Sequence, residues 1–256
     1  MVPKFVINER ALLIGKALVI ADLHIGLENE LAESGIRIPS QTEKMLERVL
    51  ALIKKTGARR LVLLGDIKHE TKGISLQEYD ELTRFLENLS KKVEIDIVPG
   101  NHDGNIRKIV PTKATIHDVK GFSLEGVYVC HGHAKPKEDI LDCKYAVISH
   151  NHPAIEFIDK LGTRFVEPSW IKCEIDKKSL EASLSLKKKT GKFGGKVNTL
   201  ELVIIPAFNQ LVGGMPFNAT PGKKPLGPII KAVDLGKADA YLLDGTYLGK
   251  IQKLRG

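Results

Sequence analysis

The sequence predicts an α/β protein with two packed, mixed β-sheets and helices on the outside. Up to residue 104, apolar strand-like runs alternate with amphipathic helical patterns, which is typical of parallel strands covered by helices. Beyond residue 104 the apolar runs are shorter and are separated by Gly, Pro and polar turns, which indicates a second sheet. Because no repeat, linker or low-complexity tract divides the chain, residues 1–256 are predicted to form a single domain.

The first half of the chain predicts three strands and two helices. The strand-like runs are KALVIADLH, RRLVLLGD and VEIDIVPG. One helix is predicted to start near Ser40, with Glu43 three residues later as a capping box, and to stop at Gly57. The second helix is predicted from SLQEYDELTRFLENLSKK, so that the elements follow a strand-helix-strand order.

The second half of the chain predicts short strands and two irregular segments. The strand-like runs are ATIHDV, GVYVCHG, YAVISH, TRFVEP and TLELVIIP. Residues 177–196 are rich in Lys and Gly and are interpreted as a mobile insertion between two strands. FNQLVGGMPFNATPGKKPLGP is interpreted as a loop because of its Gly and Pro content.

The net charge of +8 is concentrated in one part of the chain. Residues 1–100 hold 15 basic and 15 acidic side chains, so the remaining 24 basic and 16 acidic side chains contain the whole excess. The insertion at 177–196 has seven Lys and one Glu, Glu181. Such a segment is either a solvated surface loop or a cationic surface that holds a phosphate-rich partner such as nucleic acid.

Composition predicts a cytoplasmic protein that does not enter a membrane. The first apolar run is broken by Gly15 and Lys16, is too short to span a bilayer, and lacks the flanks of a signal peptide. The three cysteines, Cys130, Cys143 and Cys173, are an odd number without paired spacing, which favours a reducing compartment. The sequence is silent on the oligomeric state.

Polar side chains with metal-binding chemistry follow five of the apolar runs. Seven of the eight histidines lie in these clusters. The clusters are Asp22 and His24; Asp66 and His69; Asn101, His102 and Asp103; His131 and His133; and His150 and His152. Because the carboxyl ends of parallel strands share one edge of a sheet, we expect these residues to converge.

A shared metal centre explains the clusters better than separate structural roles. Any single histidine is most simply a partly buried ring with a hydrogen-bond partner, but burying all of them together with carboxylates would cost several kcal/mol without a compensating ion. Imidazole, carboxylate and amide ligands without thiolate favour Mn, with Fe or Zn as alternatives. The ligands are too many for one ion, so two divalent ions bridged by a carboxylate are predicted.

Charge and motif content point to a phosphoryl substrate. Two dications and two carboxylates leave a net positive centre, which suits a hydroxide and a phosphate ester. The sequence contains no GxxxxGK followed by Ser or Thr, no HExxH and no paired CxxC. No nucleophile elbow is evident, although a serine triad is not excluded by the sequence.

The motifs ADLH, GDIKH, GNHD, HGH and SHNH, in this order, resemble the calcineurin-like metallophosphoesterases. The family pattern is D-x-H, G-D-x-x-D/H, G-N-H-D/E, H and G-H-x-H. The tail segments HNHPAIEF, VEPSWI, VIIPAFNQLVGG and YLLDGTYLG resemble an archaeal and bacterial branch related to SbcD-type nucleases. The resemblance implies a four-layer α-β-β-α sandwich and metal-dependent hydrolysis of phosphoric esters.

The resemblance also implies a role for each motif residue. The first metal ion would be bound by Asp22, His24, Asp66 and His152. The second would be bound by Asp66, Asn101, His131 and His150, with Asp66 as the bridge. His102 would be the general acid or would stabilise the transition state, and Asp103 would orient it.

Three positions depart from the family pattern or leave a choice open. Ser149 stands where Gly is usual, which would tighten the approach of the backbone and leave both following histidines in place. His69 stands where Asp is common and is interpreted as lying behind a ligand or facing the substrate. Either His131 or His133 could bind metal, and His131 is preferred because it directly follows its strand.

The predicted function is hydrolysis of phosphodiester bonds, in nucleic acid or nucleotide diesters, by a metal-activated hydroxide. The Lys-rich insertion favours a polyanionic substrate. The aromatic content of 5% argues against a dedicated long-DNA nuclease, and Trp170 is more simply core than a base-stacking residue. The alternatives are a phosphomonoesterase acting on a small metabolite or phosphoprotein, and a catalytically silent scaffold.

Overall fold

The computed structural model describes residues 1–186, 198–219 and 225–255. The first sheet has six strands that lie side by side in chain order. They are β1 (Lys4–Phe5), β2 (Leu12–Ile14), β3 (Ala17–Ile20), β4 (Arg60–Leu64), β5 (Glu94–Val98) and β6 (Thr115–Ile116). Strand β2 is antiparallel to both β1 and β3, whereas β3 to β6 are parallel. Three helices belong to this half: α1 (Leu27–Glu33), α2 (Thr42–Thr56) and α3 (Leu76–Ser90).

Side-chain alternation gives the first sheet two apolar faces. Along β3, Leu18 and Ile20 pack in the cluster that includes α2 and α3, while Val19 packs in the cluster between the two sheets. Along β4, Leu63 and Val62 divide in the same way. Successive side chains of a strand point to opposite faces, so a strand buried on both sides is apolar throughout, as the sequence runs are.

Helix α2 begins two residues later than predicted, and the predicted capping box is wrong. Its N-cap is Gln41, without a side-chain cap bond. Ser40 lies outside the helix because its hydroxyl hydrogen-bonds the Glu81 carboxylate of α3 at 2.7 Å and accepts from the Thr42 N–H at 3.2 Å. The predicted end is confirmed, since Gly57 has the left-handed φ of 62° that favours glycine.

The second sheet has nine strands among the described residues. They are β7 (Phe122–Leu124), β8 (Val127–Cys130), β9 (Tyr145–Ile148), β10 (Pro153–Ile158), β11 (Arg164–Asp176), β12 (Thr199–Ile204), β13 (Met215–Pro216), β14 (Asp239–Leu242) and β15 (Tyr247–Lys250). The order is β13-β10-β11-β12-β9-β8-β7, and β14 pairs with β11 and β15. Strands β8, β9 and β12 run parallel. Helix α4 (Lys177–Leu184) packs on the outer face of this sheet.

The two sheets pack face to face, which confirms the predicted fold class. The core between them includes Val62 and Val98 from the first sheet and Val129, Val147 and Val203 from the second. Trp170 is also fully buried there, with its ring stacked on Phe5 at 4.2 Å between centroids, so it is a core residue. Helices cover the outer face of each sheet, which gives the order helix, sheet, sheet, helix.

The Lys-rich segment lies between strands β11 and β12, as predicted, but its first part is helical. Residues 177–184 form α4, because the Asp176 carboxylate caps the helix by accepting from the Ser179 N–H at 2.8 Å. Residues 187–197, which contain most of the lysines, lie outside the described residues. Mobility of this segment and the single domain stay predictions.

None of the helices in the described part of the chain combines the length and apolar character that crossing a bilayer requires.

Candidate metal centre

Five parallel strands from the two sheets end at one edge of the sandwich, and the predicted ligands follow them. Strands β3, β4 and β5 of the first sheet are followed by Asp22 and His24, by Asp66, and by Asn101. Strands β8 and β9 of the second sheet are followed by His131, and by His150 and His152. Convergence at this edge places side chains that are up to 130 residues apart in sequence within a few ångströms of each other.

The backbone at this edge is unusually rich in left-handed conformations. Nine non-glycine residues of the described chain have a positive φ, and five of them are predicted metal ligands. These five are Asp22, His24, Asp66, His150 and His152, with φ between 41° and 72°. Left-handed residues cost roughly 1 kcal/mol each outside glycine, so their concentration here indicates that the fold holds these side chains in a required direction.

The first group of ligand atoms comes from Asp22, His24 and His152. One atom from each lies within 4.8 Å of the others. His152 Nε2 is 3.7 Å from Asp22 Oδ1, and His24 Nε2 is 3.8 Å from Asp66 Oδ2. Both carboxylate oxygens of Asp22 and the two Nε2 atoms are buried without a hydrogen-bond partner. Unsatisfied buried polar atoms are uncommon in native proteins, so these four atoms fit a cation that would bind them.

The second group meets the first at Asp66. His131 Nε2 lies 3.3 Å from Asp66 Oδ2 and 3.2 Å from Asn101 Oδ1, and His150 completes the group. Atoms bound to one ion at about 2.1 Å are about 3.0–3.5 Å apart, which these separations match. The other oxygen, Asp66 Oδ1, accepts from the His102 N–H at 2.9 Å, which holds the carboxylate in place. The arrangement therefore fits two cations with Asp66 between them.

The protonation of the rings is set by burial and by the two carboxylates. Burial lowers the pKa of His24 to about 4, against the opposing charge of Asp22. Burial and the charge of His131 lower the pKa of His150 to about 4. Both rings are therefore neutral at pH 7 and have a lone pair available for a cation.

His131 behaves in the opposite way. Burial lowers the pKa of His131, but its hydrogen bond to Asp66 and the charge of Asp22 outweigh burial and raise the pKa to about 9. The same contact holds the pKa of Asp66 well below its usual value, although burial alone would raise it. Without metal, a proton on His131 therefore stabilises the carboxylates where a cation would bind.

Ser149 has a role that the sequence did not reveal. The sequence analysis treated it only as a departure from Gly that would affect the backbone. In the structure its buried hydroxyl lies 2.8 Å from Leu64 O and 2.8 Å from His131 Nδ1. Because the carbonyl only accepts, the hydroxyl donates to it and accepts from His131 Nδ1–H. Ser149 thereby turns His131 Nε2 towards Asp66 and Asn101.

The predicted contact between Asp103 and His102 is wrong. The Asp103 carboxylate accepts from the backbone N–H groups of Gly100, Ile67 and Lys68 at 2.7, 2.8 and 3.2 Å. His102 Nδ1 instead donates to the carbonyl of His69 at 2.5 Å. Asp103 is buried beneath the two loops, where it satisfies their N–H groups, and therefore orients the backbone that carries the site.

His69 and His133 lie beside the two groups of ligand atoms. His69 Nδ1 is 3.3 Å from His24 Nδ1, and its other nitrogen contacts the Glu30 carboxylate. This contact leaves His24 Nε2 free to face Asp66. His69 also forms, with His24 and His102, a further group of side chains that could hold a metal ion. The His133 ring lies beside that of His131, with 5.1 Å between the ring centroids and 58° between the ring planes. Of these two candidates it is His131 that contacts Asp66 and Asn101.

Three further residues hold the loops of the centre, and sequence reasoning did not identify them. Glu78, at the start of α3, accepts from the N–H groups of His69 and Glu70 at 3.0 and 3.2 Å. Lys68 is fully buried and donates to Gly73 O at 3.0 Å. Asn209 donates to Leu23 O at 2.8 Å. Their polarity inside otherwise apolar surroundings was the available signal, but it does not say which loop each one holds.

The fold and these clusters define an α/β protein with a candidate centre for divalent cations. A family model described as calcineurin-like phosphoesterase matches residues 15–172, more than half of the chain and all of the predicted ligands. The chain therefore belongs to the calcineurin-like phosphoesterases, which confirms the resemblance read from its motifs. Its family makes it a hydrolase, and the His and Asp groups could hold the divalent metals that such enzymes generally use.

The chain is similar to solved structures. The crystal structure of Pseudomonas putida nuclease MPE is similar over 95% of this chain and 96% of that chain, with 18% sequence identity and a TM-score of 0.54. The phosphoesterase Yfce from E. coli is similar over 56% of this chain and 73% of that chain, with 21% identity and a TM-score of 0.34. The comparison with curated proteins gives no match.

Proposed function

We propose that this protein is a phosphodiesterase that requires two divalent ions and hydrolyses nucleic acid or nucleotide diesters. The observation that carries the proposal is the meeting of two groups of ligand atoms at Asp66, one of them with four buried atoms that lack a partner. Asp22, His24, Asp66 and His152 would hold one ion, and Asp66, Asn101, His131 and His150 the other. The bound ions, Mn with Fe or Zn as alternatives, would activate a water molecule and neutralise the phosphoryl oxygens.

In this proposal His102 assists the leaving group. Its Nδ1–H is held by the His69 carbonyl at 2.5 Å, and its Nε2 lies 4.0 Å from Asp66 Oδ2, at the margin of the ligand atoms. A proton on Nε2 can therefore be passed to the oxygen that leaves the phosphorus. The backbone N–H of His102 also donates to the Asp66 carboxylate, which keeps the proposed acid and that carboxylate in one geometry.

Space around the centre supports a substrate with groups on both ester oxygens. A cavity of about 590 Å³ is lined by His150 and His152 together with Met215 and Leu226. A second cavity of about 490 Å³ is lined by His69 and His102. A monoester needs room for one substituent, whereas a diester needs room for two, so two cavities at different residues of the centre favour the diester.

Nucleic acid as the substrate is supported by the distribution of positive charge along the chain. The lysines of the segment 177–196 would attract a polyanion. A protein that shares this fold is described as a nuclease, although that likeness carries no argument about the substrate of this chain.

A cytoplasmic location is proposed on the three cysteines, which are free and buried.

The proposal is tested by turnover with Mn added. We expect the protein to prefer bis-p-nitrophenyl phosphate over p-nitrophenyl phosphate. Asp66→Ala and His131→Ala should abolish turnover and lower the metal content. His102→Ala should reduce kcat about 10²- to 10⁴-fold, the usual contribution of a general acid, while metal content stays at the wild-type level.

Three outcomes would contradict parts of the proposal. A preference for the monoester would make the protein a phosphomonoesterase. Bound metal without turnover of either ester would leave a scaffold. Full activity of metal-replete His131→Ala would show that the assignment of ligands is wrong.

A further inference from the structure

Arg10 lies in the turn between β1 and β2 and is joined to the segment that carries Asp22. Its Nη1 donates to Ala207 O and Asn209 O, both at 3.0 Å. The same loop bonds back to the Asp22 segment, with Phe208 N–H to Ala21 O at 2.7 Å. The guanidinium is therefore held at the border of the first group of ligand atoms, by contacts that use only one of its three nitrogens.

The charge of Arg10 interacts with the Glu167 carboxylate, but it forms no ion pair within the described chain. No carboxylate of the described residues lies within 4 Å of it, and its Nε and Nη2 have no acceptor there. The neighbouring Arg48, in contrast, is paired with Glu9 at 2.6 Å. Burial and the charge of Arg48 lower the pKa of Arg10 to about 10, so that it still carries its charge at neutral pH. A half-buried guanidinium with free donors is suited to an anion, above all to phosphate.

A cavity connects this guanidinium with the centre. It has a volume of about 390 Å³ and is lined by Arg10, His152, Pro206 and the Gly213 and Gly214 backbone, among others. His152 is one of the predicted metal ligands, so a group in this cavity borders both the centre and Arg10. The lining contains no carboxylate. The cavity can therefore accept a negatively charged group.

The cavity beside His102 has the opposite character. Its lining includes four carboxylates, from Glu30, Glu33, Glu70 and Glu78. These carboxylates would repel a phosphate and accept hydrogen bonds from hydroxyl groups. The cavity beside Arg10 and the cavity beside His102 therefore differ in charge, and they would favour different groups on the two sides of a substrate.

We propose that Arg10 binds a second phosphate group of the substrate, next to the one that is hydrolysed, and that the group on the side of His102 carries no phosphate. This inference rests on the proposed phosphodiesterase activity and narrows its substrate to diesters with a further phosphate on one side. Arg10 then binds the substrate, in addition to holding the loop that contains Ala207 and Asn209.

The test compares three dinucleotides with the same central diester: TpT, pTpT and TpTp. For the wild type we expect kcat/KM for one of the two phosphorylated compounds to exceed that for TpT about tenfold or more, because one charge-assisted bidentate contact has an effect of that size. The other phosphorylated compound should have the same kcat/KM as TpT. In Arg10→Gln the ratio of the favoured compound to TpT should fall to about one. Arg10→Lys should keep part of the ratio because it keeps the charge.

Arg48→Gln is the matched control, because Arg48 also contacts this loop, through Phe208 O at 3.3 Å, but is paired with Glu9. It should keep the wild-type ratio even if the absolute rates change. The association constants of analogues whose central linkage is an uncleavable methylphosphonate, measured by calorimetry, should show the same ratios.

The outcomes separate this inference from the proposed function. If the wild type hydrolyses TpT but gains nothing from either terminal phosphate, or if Arg10→Gln keeps the gain, the inference is overturned and the phosphodiesterase stands. Equal losses on all three compounds in Arg10→Gln would assign Arg10 to structure alone. If the wild type cleaves neither these compounds nor bis-p-nitrophenyl phosphate, both proposals fail.

Discussion

One hydroxyl group orients the buried ring of His131. Ser149 Oγ is placed between that ring and the carbonyl of Leu64, and all of its hydrogen-bonding capacity is directed inwards. The ring is completely buried, so no water can replace a lost partner at Nδ1. A single side chain outside the ligand groups thus governs which nitrogen of His131 faces Asp66 and Asn101.

Ser149→Ala should weaken metal binding about 10- to 100-fold, because His131 Nδ1 loses its acceptor and the ring is no longer held. The affinity is measured by competition with a chelator. The matched control is Ser169→Ala, since Ser169 is equally buried but bonds only to the carbonyl of Glu167. Equal affinities in the two variants would contradict the role of Ser149.

The proton on His131 predicts a pH dependence of metal binding. The pKa of His131 is raised to about 9, because its contacts with Asp66 and Asp22 outweigh burial. Below that pH the proton must leave before a cation can take its place. Affinity for Mn should therefore rise roughly tenfold per pH unit for each proton displaced between pH 7 and 9, and level off above pH 9.

Calorimetry in buffers of different ionisation enthalpy measures the protons released in this range. Because the pKa of His131 is about 9, the number should be at least one at pH 7. The pKa of His152 is also raised, because the charge of Asp22 outweighs burial. His117→Gln is the control, since His117 contacts Asp96 at 2.6 Å instead of the ligand atoms. Binding that does not change between pH 7 and 9 would refute the protonated state of His131.

At the scale of elements, the loops after the strands are packed against each other without spare room. A Cβ atom at Gly100, in the loop after β5, would lie 2.1 Å from Asp66 Oδ1 and 2.3 Å from the Asp66 nitrogen. A Cβ atom at Gly65 would lie 2.1 Å from His131 Nδ1. Glycine is required at these two positions because another chain segment occupies the space of a side chain.

Gly100→Ala should therefore displace the Asp66 carboxylate and reduce turnover about 100-fold or more, since misplacement of a catalytic group by about 1 Å has effects of that size. The matched control is Gly73→Ala, where an added Cβ meets nothing within 4 Å. Turnover and metal content of both variants are measured with bis-p-nitrophenyl phosphate. Wild-type turnover in Gly100→Ala would show that the loop can shift without harm to the centre.

At the scale of the whole molecule, the uneven charge predicts how a polyanion would be bound. Neutralising Lys187, Lys188 and Lys189 by Gln should weaken binding of single-stranded DNA and flatten its dependence on salt, because fewer counterions are released. Turnover of bis-p-nitrophenyl phosphate should stay at the wild-type level. An unchanged salt slope, measured by fluorescence anisotropy, would leave the segment as a solvated surface.

The order of the elements and the members of the site could be predicted from local patterns. The runs around Leu18, Leu63 and Ile97 are apolar on both faces, and a strand of that kind must be buried between two layers. The polar residues that follow those runs can only come together at the edge where the strands end. The predicted capping box at Ser40 was wrong because the Ser40 hydroxyl hydrogen-bonds Glu81 of another helix.

The sequence by itself determined the two-sheet fold, the family and the set of side chains at the strand ends, because alternation and spacing along the chain encode them. Only the tertiary structure decided which of these side chains touch. In the structure His102 contacts the carbonyl of His69 instead of Asp103, and His131 contacts the hydroxyl of Ser149. The guanidinium of Arg10 lies at the border of the centre. Hydrogen bonds between residues 18 to about 200 positions apart depend on how the sheets pack, and the order of residues along the chain carries no direct record of that packing.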